Sequence, residues 1–144
     1  MRTFVEQHAS DPAERLLVTF DFLEASFFDK QFRGCLFVSA AGEHKHAANP
    51  VFRAAVMHKR LVIAYFEELA YAARFAEPKR IAVEINLLHE GAMAVAQMTR
   101  IVEPARQAKL IAAQLLAVEK RVALARQPGE RTQDSDRPIF NDLR

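Results

Sequence analysis

Prolines punctuate this chain where a helix has to begin. Asp11-Pro12 and Asn49-Pro50 each pair a side chain that can accept from free backbone N–H groups with a ring already fixed near the helical φ. Glu77-Pro78, and Pro104 after a break at Thr99 to Glu103, repeat the proline half of the signal. Apolar residues at helical spacing follow each start. Leu16, Phe20, Leu23 and Phe27 mark a helix over Pro12 to Phe28, and Val51, Ala55, His58, Val62, Tyr65, Leu69 and Ala72 mark a long one from Pro50. Ile81, Ile85, Leu88 and Ala92 mark a third, and Ala108, Ile111, Leu115, Val118, Val122 and Ala125 a fourth with a heptad-like rhythm.

Between the first two lies a polar link, Asp29 to Arg33, then Gly34 and the apolar stretch Cys35 to Ala41. So short a run suits a buried strand or a helix; it is read here as a short helix. Gly42 to Asn49 reads as a loop. With 51% hydrophobic residues and only 4 Gly, helix formers dominate, so the predicted fold is an all-α helical bundle of about five helices. The predicted domain covers 1–126, and the polar stretch 127–144 after Pro128-Gly129 is expected to be a disordered tail.

Twenty basic and eighteen acidic residues leave a net charge of +2, and the signs read as interleaved, not gathered into a nucleic-acid-binding stripe. The single cysteine, Cys35, permits no internal disulfide and no CxxC metal pair, which points to a reducing, cytoplasmic setting. No apolar run suggests a signal peptide or a membrane span. The glycines, at 34, 42, 91 and 129, spell neither a phosphate loop nor a dinucleotide fingerprint. His44-x-His46 lacks the spacing of a closed zinc site, and Cys35 lies in an apolar run where cysteine behaves as a small hydrophobe. No metal, cofactor or catalytic residue is therefore assigned, and the chain is not expected to be an enzyme.

The segment Phe32-Arg33-Gly34-Cys35-Leu36-Phe37-Val38-Ser39-Ala40-Ala41-Gly42-Glu43 resembles a stretch that follows the first C-terminal helix in many TetR-family transcriptional regulators. Asp11-Pro12-Ala13-Glu14-Arg15-Leu16-Leu17 before it and Leu87-Leu88-His89-Glu90-Gly91-Ala92 after it resemble the same family, in the same order. The resemblance implies a domain that binds a small, mostly apolar effector among its helices and pairs with a second copy through its last two helices. Family members read DNA with a helix-turn-helix head; by the resemblance, residues 1–10 are the remnant of the helix that connects to it, and no such head is read in this sequence. DNA binding is thus expected only through such a head. A headless subunit pairing with a full-length relative, and a small helical enzyme using His58 or His89, are the alternatives.

His58 and Tyr65, seven residues apart on one stripe, place two polar tips about 10 Å apart along the helix axis. Asn86, His89 and Met93 form a polar-tinged stripe beside the apolar face of the next helix. Together with Phe20 and Phe27, these are the expected effector-binding residues, because pockets combine apolar walls with a few convergent polar groups. The competing assignment is ordinary packing: a core His and Tyr satisfied internally, and a helix edge meeting solvent or a partner. The expected dimer interface comprises Gly91, Ala92, Ala108, Ile111, Ala112, Leu115, Leu116 and Val118.

Overall fold

The computed structural model describes residues 1–44 and 46–125, and no strand occurs among them. Among these residues six helices follow one another: α1 (Arg2–His8), α2 (Pro12–Phe27), α3 (Leu36–Glu43), α4 (Pro50–Ala72), α5 (Pro78–Thr99) and α6 (Glu103–Ala125). The all-α expectation holds, with α1 as a separate short helix in addition to the five. The expected tail, 127–144, lies outside the described residues.

The caps do what their side chains allow. An Asp11 carboxylate oxygen accepts from the Glu14 backbone N–H at 2.9 Å, and Asn49 Oδ1 accepts from that of Val51 at 2.8 Å. The short apolar stretch resolves as helix α3, which packs against α4 alone among the described helices and buries no residue fully.

α2, α4, α5 and α6 build the core. Leu16, Phe20 and Leu23 of α2 meet Phe66, Leu69 and Ala70 of α4 and Ile81, Ala82 and Ile85 of α5. From α6 come Ala105, Ala108, Ala112 and Leu116. Mostly small side chains on this face suit a close approach to its neighbours, and two cross-links fix it there. Lys109 Nζ donates to Asp21 on α2 at 2.6 and 2.7 Å, and Arg80 of α5 reaches Glu119 at 2.6 Å. The α6 stripe therefore differs from the sequence reading. Only Ala108 of the heptad-like set belongs to the core, while Ile111, Val118 and Val122 face outward.

The F-R-G-C-L-F segment works as a corner. Phe32 packs on Phe27 with ring centres 4.7 Å apart, and Arg100 Nη1 donates to the Phe32 carbonyl at 2.8 Å, pinning the corner to the end of α5. Gly34 has φ of +82°, and a Cβ there would lie 2.2 Å from Gln97 Oε1. Gly34→Ala is expected to destabilise the chain by about 1–2 kcal/mol through left-handed backbone strain alone. Urea unfolding checks this, and adding Gln97→Ala should relieve only the side-chain collision.

Candidate functional site

Between α3 and α4 runs an open groove of about 190 Å³. α3 contributes Phe37, Val38 and Ala41; α4 contributes Ala55, Val56, Lys59, Arg60 and Ile63. His58 stacks on Phe37 beside it, with ring centres 3.8 Å apart and planes 11° from parallel, so this contact ties α3 to α4. Desolvation, aided by the neighbouring Lys59 charge, holds the His58 pKa below its ordinary value.

The two cations lining the groove differ. Lys59 is ion-paired with Glu90 of α5, whereas Arg60 is exposed and has no acidic partner among the described residues. The sequence carried a signal here that the interleaved-charge reading passed over. Residues 44–66 contain Lys45, Arg53, Lys59, Arg60 and three histidines, but no Asp or Glu.

The seven expected effector residues do not line one pocket. Phe20 and His89 are core residues, 1% and 3% exposed, with ring centres 4.4 Å apart; Phe66 sits 5.0 Å from His89 on another side. The space expected to hold a ligand at this level of α2, α4 and α5 is occupied by these rings. Thr19 donates its hydroxyl proton to the Leu16 carbonyl at 2.6 Å, so at the 2.8 Å contact between His89 Nε2 and Thr19 Oγ1 the imidazole must be the donor. Burial first, and then the Lys59 charge, push the His89 pKa down to about 3. His89 thus stays neutral and structural at physiological pH.

Tyr65 is buried at the α1 junction, where the Arg2 guanidinium lies 4.2 Å from its ring centre and also holds Glu68 at 2.7 and 3.0 Å. Its hydroxyl, like Asn86 Oδ1, is buried and finds no hydrogen-bond partner among the described residues. Met93 packs against the core. Phe27 borders a second, wider concavity of about 680 Å³ at the corner, together with Phe32, Lys30 and Arg100. Of the seven, only His58 adjoins the α3–α4 groove. Periodicity places a residue on a face; it does not say which neighbouring helix fills that face.

The interface expectation divides in the same way. Ala92, Ala108, Ala112 and Leu116 are used within the chain's own core, so they are not available to a partner. Ile111 and Val118 are 51% and 54% exposed, Leu115 is half-buried, and open space lies around the position a Cβ on Gly91 would occupy. Leu87, Val95 and Met98 on α5, and Val122 on α6, were not in the expected set but are exposed as well. Two apolar rows result: Leu87, Gly91, Val95 and Met98 at 4-4-3 spacing, and Ile111, Leu115, Val118 and Val122 at 4-3-4. No helix among the described residues is long and apolar enough to cross a membrane, and no group of three or more His, Cys, Asp and Glu residues there is arranged to hold a metal.

No family model, curated protein or solved structure matches this chain.

Proposed function

We propose that this chain is a ligand-responsive, dimerising regulatory domain of the TetR type, acting on DNA only through a separate head. The carrying observation is the outward apolar surface of α5 and α6, in a chain whose core is already complete without it. Exposed apolar rows on two adjacent, cross-linked helices exceed the scattered apolar residues normal for a monomer surface. A second copy covers them by presenting the same rows about a two-fold axis, giving a four-helix contact.

The ligand half of the reading rests on the α3–α4 groove. α4 touches α3 on one side and packs against α5 on the other, and its last turns hold Arg2 of α1. A molecule seated against α3 acts on α4, and α4 passes the change to both α1 and the paired face of α5. Coupling of this kind requires the ligand to prefer one of two α4 positions, whatever its total affinity.

Sedimentation over a range of concentrations tests the dimer. The wild-type chain is expected to associate at micromolar concentration. Ile111→Glu with Val118→Glu is expected to weaken association on the order of 100-fold, since each places an unpaired carboxylate in an apolar contact. Both residues are half-exposed in the single chain, so the monomer should keep its helical content. A wild-type chain that remains monomeric at high micromolar concentration would remove the reading.

A further inference from the structure

We propose that the α3–α4 groove binds a single-chain alkyl carboxylate, its chain against Val38, Val56 and Ile63 and its carboxylate on the Arg60 guanidinium. The inference rests on the effector-binding reading above and names the ligand class.

Size comes first. At about 190 Å³ the groove is smaller than the roughly 300–1,000 Å³ typical of drug-sized sites, which favours one slender chain over a multi-ring molecule. Its walls are almost wholly apolar, Lys59 and Arg60 adding hardly any polar surface, so most of the ligand must be apolar and its polar head must sit at the rim. Charge then selects the head. Glu90 already neutralises Lys59, while Arg60 stands on the same helix with no acidic partner among the described residues. A guanidinium offers two parallel N–H donors that match the two oxygens of a carboxylate. A neutral chain would leave that fork unused, and a cationic one would meet repulsion from Arg60.

Leu36 of α3 and Met57 and Leu61 of α4 are exposed as well, an arrangement that would also suit an anionic membrane surface. The groove favours a free molecule, because a concavity between two helices takes in one chain, whereas lying on a bilayer makes no use of a concavity.

The experiment is calorimetric titration of the whole chain with octanoate, and in parallel with 1-octanol and with vesicles containing phosphatidylglycerol. Saturable octanoate binding near one per chain, weakened about 10- to 100-fold by Arg60→Gln, is the expected result. Octanol should bind more weakly and respond little to Arg60→Gln. Val56→Trp, which fills the groove, should abolish both. Arg60 is exposed, so its replacement should leave the melting temperature unchanged and the comparison interpretable. The proposal is overturned by the absence of saturable octanoate binding, by binding indifferent to both substitutions, or by vesicle binding without binding of free octanoate. Sedimentation of the same samples separates the two readings. A dimer that ignores octanoate keeps the regulatory reading and loses this one, whereas a strict monomer that binds it in the groove does the reverse.

Discussion

Phe20→Ala is expected to lower the unfolding free energy by about 3–5 kcal/mol, the range for deleting a fully enclosed aromatic ring from a packed core. Two contributions add. The ring loses its transfer free energy from water, and the space it leaves is bounded by His89 at 4.4 Å and by α4 and α5 side chains that cannot close over it without moving helices. Urea unfolding at one fixed protein concentration measures the loss, the fixed concentration being needed because self-association would itself shift the midpoint. This substitution distinguishes core from pocket. Were Phe20 the wall of a ligand cavity, as the sequence suggested, one side of the ring would already face empty space and truncation would cost far less. A loss below about 1 kcal/mol would reinstate the central pocket.

Acid should unfold this protein partly through His89. Its folded pKa of about 3 lies below the ordinary value of 6.5, so above pH 6.5 the imidazole is neutral in both states and contributes no pH dependence. As pH falls below 6.5, the unfolded chain takes up a proton that the folded chain refuses. Stability then drops continuously until the folded pKa is reached. Between pH 6.5 and 4.5 the linkage amounts to about 2–3 kcal/mol at 1.36 kcal/mol per unit. Unfolding curves at pH 7, 5.5 and 4.5 should show this slope in the wild type. His89→Gln should flatten it while retaining a donor to Thr19. Parallel pH profiles for the two proteins would show that His89 ionises without penalty, and hence that its site is wetter than its 3% exposure indicates.

The same histidine shows why the candidate site was less legible than the fold. Read as a helical pattern, His89 stands with Asn86, Met93 and Gln97 on a polar-tinged edge. In the structure it joins Ile81, Ile85, Ala92 and Ala96 on the buried stripe of α5, because Thr19 on α2 supplies the acceptor that makes a buried imidazole tolerable. That acceptor lies 70 residues away in sequence. No local pattern encodes it. α6 misled in the opposite sense: its bulky row, Ile111, Leu115, Val118 and Val122, outscores Ala105, Ala108 and Ala112 in hydrophobicity. The row Ala105, Ala108, Ala112 and Leu116 nevertheless faces inward, three of its four side chains being small enough to let α6 approach its neighbours closely.

What the sequence determined by itself was the four long helices, α2, α4, α5 and α6, and where each begins. Asp11, Asn49 and the four prolines act within a turn of their own positions, and apolar spacing within one helix involves no distant residue. Gly34 was legible as a break for the same reason, although its collision partner, Gln97, was not. Only the tertiary structure decided which face meets which neighbour. It placed Phe20 and His89 in the core, left Ile111 and Val118 outside, and opened a groove beside Phe37 with the exposed Arg60 at its edge. Those outcomes depend on the distances between helices, set by side chains far apart along the chain, and a residue's own periodicity carries no information about them.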